Sequence, residues 1–108
     1  MKFNVLERLV MLNLLPKEGS FANLKLLRVA REALSFDEKE NKALKFKQVG
    51  EQLNWEDNVV ADKEIQVGEV VSQMLKKELK KLNESEKLLE EHFSLYEKFV
   101  EPPLHPVE

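Results

Sequence analysis

The stretch Ser20-Phe21-Ala22-Asn23-Leu24-Lys25-Leu26-Leu27-Arg28-Val29-Ala30-Arg31-Glu32-Ala33-Leu34 decides how the rest of the chain is read. At roughly 100° per residue its apolar side chains sweep an arc of about 220°, leaving Lys25, Arg28 and Glu32 on a narrow polar strip. A surface helix needs only one apolar stripe. So wide an arc predicts a central helix with other elements packed around it, capped at its start by Ser20.

Upstream, Asn4 followed three residues later by Glu7 predicts the capped start of a first helix. Val5, Leu6, Leu9, Val10, Leu12 and Leu14 supply its apolar positions. Pro16 and Gly19 end it, and the short loop to Ser20 makes the first two helices a hairpin-like pair. Downstream, Ser35 is a candidate cap for a short helix through Asp37, Glu38 and Lys42.

The period then changes to two. Leu44, Phe46 and Gln48 alternate with Lys45, Lys47 and Val49, and Gly50 separates them from Gln52, Leu53, Asn54 and Trp55, which predicts a β-hairpin. Glu56-Asp57-Asn58 predicts a turn, Val59-Val60-Ala61 a strand extension and Glu64-Ile65-Gln66-Val67 a further strand. From Gly68 the helical period returns with Val71, Met74, Leu75, Leu79 and Leu82. Ser85 is the expected cap of a last helix with Leu88, Leu89, His92, Phe93, Tyr96, Phe99 and Val100 facing inward, stopped by Pro102-Pro103. The expected fold is α+β and helix-rich, with four to five helices and a small antiparallel β-hairpin or three-stranded sheet. It forms a single domain over 1–101, followed by a flexible tail at 102–108.

Composition narrows the chemistry. The 108 residues suit one domain; 43% are apolar and 34% charged, so the chain should fold. A net charge of −3 argues against a protein devoted to wrapping nucleic acid. With no cysteine, disulfides and thiolate metal sites are excluded. No run is apolar enough to span a membrane, and charges interrupt the apolar residues at the N-terminus, unlike a signal peptide; a cytoplasmic protein is expected.

No catalytic motif stands out. His92 has Leu88, Leu89, Leu95 and Tyr96 at the spacings where a second metal ligand would sit, so it reads as a packing or surface histidine. The acidic runs do not match a calcium loop, and the three glycines form no phosphate loop. The expectation is a non-enzyme with no cofactor and no bound metal. Candidate partner-binding residues are Lys45, Lys47 and Trp55 on the hairpin, and Lys76, Lys77, Lys80 and Lys81 on the helix after Gly68. Trp55 reads first as cover for a small sheet, and the lysines first as a solvated helix face, ahead of partner binding.

Three segments carry a resemblance. They are Leu14-Leu15-Pro16-Lys17-Glu18-Gly19-Ser20-Phe21 with Leu24-Lys25, then Leu34-Ser35-Phe36-Asp37-Glu38, then His92-Phe93-Ser94-Leu95-Tyr96-Glu97-Lys98-Phe99. In general character the chain from about 5 to 100 resembles small bacteriophage-encoded proteins of unassigned function. The resemblance implies a phage or prophage origin and a life in the bacterial cytoplasm, and it supplies no catalytic residue. The expected function is therefore an accessory protein that binds a host or phage protein, modulating a host factor or defence system. Two alternatives stand beside it: a nucleic-acid-associated regulator using the lysine face, and a small structural or assembly component working as a homo-oligomer. No heptad run is long enough to define a coiled coil.

Overall fold

Local hydrogen bonding sets where the first three helices begin. In a computed structural model, which describes residues 1–56 and 59–100, the Asn4 side chain accepts from the Glu7 N–H (2.7 Å) and the Glu7 carboxylate accepts from the Asn4 N–H (2.9 Å). This reciprocal box starts α1 (Val5–Leu14), which stops where Leu15 turns extended ahead of Pro16. Ser20 caps α2 (Phe21–Leu34), its hydroxyl accepting from the Asn23 N–H.

The cap expected at Ser35 belongs instead to Asp37, which opens α3 (Glu38–Leu44). Asp37 and Glu40 form a second reciprocal box, whereas the Ser35 hydroxyl donates to the Arg31 carbonyl (2.6 Å) and closes α2. Lys45 ends α3 in the left-handed region (φ 50°), so Leu44 is a helix residue and not the first residue of a strand.

Two short antiparallel pairs complete the β component. β1 (Lys2–Phe3) pairs with β4 (Lys63–Glu64), and β2 (Lys47–Val49) with β3 (Gln52–Asn54). Val49 faces Gln52, leaving Gly50-Glu51 as a two-residue loop. Gly50 at φ 62° supplies the positive angle that a type II′ turn needs at its first central position. No third strand joins this hairpin among the described residues: Val59-Val60-Ala61 is irregular, and the strand expected at 64–67 is two residues long and pairs with the N-terminus. The predicted turn at Glu56-Asp57-Asn58 rests on 57 and 58, and the predicted tail on 102–108; both lie outside the described residues.

α4 (Glu69–Glu84) buries Val71, Leu75 and Leu79 on one face, with Met74 and Leu82 half-buried beside them, as its spacing predicts. It ends at Ser85, whose hydroxyl donates to the Lys81 and Leu82 carbonyls, so this serine finishes a helix and does not start one. A 3-10 turn (Glu90–His92) leads into α5 (Phe93–Phe99). Three residues per turn in that segment, against 3.6 in an α-helix, shifts the phase of α5. Leu95 becomes the buried residue of α5, while Leu89 and Phe93, expected inward, are exposed.

The protein is thus helix-rich α+β, with five α-helices and two small two-stranded sheets among the described residues. Its core gathers Phe3, Val10, Met11, Leu15, Leu27, Leu34, Ile65, Val71, Leu75, Leu79 and Leu95. The central helix is not the one the apolar arc predicts. α2 fully buries only Leu27 and Leu34, and leaves Phe21, Leu26 and Val29 exposed. α1 sits centrally instead, touching α2, α4 and the 3-10 turn and burying Glu7, Arg8, Val10 and Met11. A wide arc of apolar residues therefore does not mean that every side of a helix is covered by its own chain.

Candidate functional site

Arg8 organises the half of the molecule on which the hairpin is mounted. It is 1% exposed, with Nε donating to the Leu34 carbonyl (3.1 Å) and Nη2 to the Ser35 carbonyl (2.6 Å). Nη1 and Nη2 also pair with the two carboxylate oxygens of Glu40 (2.7 and 3.2 Å). One guanidinium thereby satisfies carbonyls at the end of α2 and fixes the first turn of α3. Its plane lies over Phe36, 4.0 Å from the ring centre. Phe36 meets Phe46 edge-on (5.2 Å), and Phe46 meets Trp55 edge-on (6.1 Å). This relay of ring contacts runs from the buried arginine to the hairpin, and the Glu56 N–H, donating to the Leu44 carbonyl (2.8 Å), ties the outgoing strand to α3.

Trp55, half-buried, is held where two clefts meet. One, of about 370 Å³, lies between α1 and the hairpin and is lined by Leu6, Leu9, Val10, Leu53 and Trp55, with Asn13, Gln52, Asn54 and Glu91 among its polar groups. The other, of about 280 Å³, is lined by Asn4, Val5, Leu6, Leu44, Trp55, Glu56, Val60 and Asp62. Leu6 and Trp55 belong to both, so they form the ridge between them. Both clefts mix apolar with polar side chains, as recognition surfaces do.

The other residues singled out by sequence fall elsewhere. Lys47 pairs with Asn54, on the strand face opposite Leu53, and lines neither cleft; Lys45 is the exposed left-handed residue ending α3. Lys76, Lys77, Lys80 and Lys81 line a shallow depression of about 490 Å³ on α4 together with Gln73 and Glu84. Lys81 also pairs with Glu78 (3.3 Å). Trp55 and the α4 lysines share none of these depressions.

Two carboxylates have altered proton affinity. Hydrogen bonding to Arg8 holds the Glu40 carboxyl below its ordinary value, outweighing partial burial. Burial works to raise Glu7, but hydrogen bonds from Lys98, the Asn4 N–H and Ser94 together bring it below the ordinary value. Lys98 reaches both Glu7 oxygens (2.8 and 2.9 Å) and the Lys2 carbonyl (2.8 Å). Both carboxylates are spent on structure. His92 is also structural: it is buried, and its Nδ1 accepts from the Leu89 N–H (2.9 Å). Among the described residues no three or more histidine and acidic side chains are grouped to hold a metal ion, and no helix is long and apolar enough to cross a membrane.

Spacing alone assigns Leu6 to the core and does not single out Leu53. Their exposure depends on where the hairpin lies across α1, which no local spacing encodes. The chain matches no model of a known protein family, no curated protein and no solved structure.

Proposed function

We propose that this protein acts without catalysis, as a phage or prophage accessory protein in the bacterial cytoplasm that binds a host or phage protein. Through that binding it would modulate a host factor or defence system. The observation that supports this reading is the Leu6–Trp55 ridge, an exposed leucine and a half-buried tryptophan shared by two clefts of mixed apolar and polar lining. Tryptophan in such a setting is a favoured anchor for binding energy, because a partner's side chain removes much apolar area from water at small entropic cost. The phage assignment rests on the resemblance carried by the segments 14–21 with 24–25, 34–38 and 92–99.

The test is capture of partners by the tagged protein from bacterial lysate, with and without nuclease, in parallel with Trp55→Ala and Leu53→Asp variants. Leu53 is exposed on a hairpin strand, so its substitution leaves the core intact. A partner retained after nuclease, and lost with both variants, supports the reading. A partner held equally by wild type and both variants refutes it.

One observation favours a second reading, nucleic-acid binding: four lysines of α4 share one depression. Charge reversal at Lys76 and Lys80 would then weaken binding and reduce its dependence on salt. Binding unchanged by the reversal removes this reading.

A further inference from the structure

α2 presents an apolar seam that stays exposed among the described residues. Ala22, Leu26, Val29 and Ala33 follow one another at spacings of four, three and four, which places them on one side of the helix within about 60°. Ala22, Leu26 and Val29 are exposed, Val29 at 65%, and Ala33 is half-buried. On the outer flank of the seam lie Lys25 and Glu32, both exposed and neither in an ion pair among the described residues.

Two properties of this seam identify its occupant. First, it has the same form in both directions: small, large, large, small. An antiparallel copy turned about a two-fold axis between residues 27 and 28 sets Leu26 against Val29 of the partner and Ala22 against Ala33 of the partner. The small residues at each end let the helices approach closely. Second, the flanking charges match only in that orientation. In an antiparallel pair the outer flanks of the two helices meet, so Lys25 lies beside Glu32 of the partner and Glu32 beside Lys25 of the partner. In a parallel pair Lys25 meets the uncharged flank carrying Ala30. The surface is complementary to itself in shape and in charge, which is what an isologous interface requires.

We propose that the chain forms a two-fold symmetric homodimer by antiparallel packing of α2 on α2. One short helix per protomer gives an interface at the small end of the stable range, so the dimer assembles with concentration, over roughly 10–100 µM. It uses a different face from the clefts beside Trp55, so dimerisation and partner capture succeed or fail separately.

Sedimentation velocity across that concentration range tests the proposal, on wild type, Val29→Glu, Lys25→Glu, Glu32→Lys and the Lys25→Glu/Glu32→Lys double variant. Val29, Lys25 and Glu32 are all exposed, and an unchanged circular dichroism spectrum, with an unchanged Tm at about 1 µM, below the association range, will verify each fold. Wild type should dimerise and Val29→Glu should stay monomeric. Each single charge reversal should weaken association about tenfold, since it turns two attractions into two repulsions, and the double variant should recover it. A wild type that stays monomeric throughout overturns the proposal, as does a dimer indifferent to Val29→Glu. Failure of the double variant to recover association overturns the antiparallel orientation.

Discussion

Replacing Arg8 by methionine keeps most of the aliphatic volume and removes only the guanidinium. The substitution strands the Leu34 and Ser35 carbonyls and leaves Glu40 without its cation. Removing one partner of a buried ion pair costs about 3–5 kcal/mol, because the other charge stays desolvated. Glu40 retains 14% side-chain exposure and its bond from the Asp37 N–H, so the lower end applies, about 3 kcal/mol. For a domain of this size that corresponds to a fall in Tm of about 12–18 °C. Glu40→Gln is the companion variant, since glutamine can still complete the capping box with Asp37. Urea and thermal unfolding followed by circular dichroism, on both single variants and the double, give the coupling. The double variant should be less destabilised than the sum of the singles by about 1–2 kcal/mol. An Arg8→Met protein within about 0.5 kcal/mol of wild type, or strictly additive effects, would refute the assignment of Arg8 as the bond between α1, α2 and α3.

Three further expectations can be checked with the same unfolding measurements. Glu7 and Glu40 titrate below their ordinary 4.5 in the folded protein, so the unfolded chain binds more protons there: their stabilisation is complete above pH 4.5 and is lost as pH falls through the lower folded values. A Glu7→Gln/Glu40→Gln protein should therefore show a flatter acid limb of stability against pH, and an unchanged limb would exclude these groups as its source. Leu79→Ala, at a fully buried site on α4, should cost about 2–5 kcal/mol, and a loss under about 1 kcal/mol would mean that the core collapses around the gap. Gly50→Val should destabilise the hairpin by about 1–2 kcal/mol, because a branched side chain resists the positive φ, and should alter partner capture without disturbing the α2 seam.

Features encoded within a turn or two are legible in the sequence. The Asn4–Glu7 box, the Ser20 cap and the Val71–Leu75–Leu79 stripe all depend on neighbours three or four residues away, and each can be read directly. The hairpin is legible because Gly50 sits between two runs of period two, although its strand residues are exposed. Arg8 gives no such signal because its partners lie 26, 27 and 32 residues away. The same distance problem hides β1, whose two residues pair with Lys63–Glu64. α2 misleads for a different reason. Apolar residues facing a cleft, a partner or the core are written in the same letters, and Val29 looks like core until the neighbours are in place. Trp55 stands out in sequence as a hairpin residue of interest; the ridge it forms with Leu6 needs the packing of the hairpin across α1.

The clasp between the first and last described elements shapes how the fold is reached. Phe3 stacks on Phe99 at 6.0 Å, and Lys98 crosses 91 residues to Glu7 and 96 to Lys2. Such contacts close loops of 91 and 96 residues, and their entropic cost is met before they return any energy. They therefore belong late in folding, after the α1, α2 and α3 junction around Arg8 has formed from nearer neighbours. Weakening the clasp, as in Lys98→Met, should quicken unfolding and leave the refolding rate nearly unchanged, whereas weakening the Arg8 junction should slow refolding. In a growing chain, Glu7 would wait without its cation until α5 emerges, so α5 acts as the latch on a structure already assembled behind it.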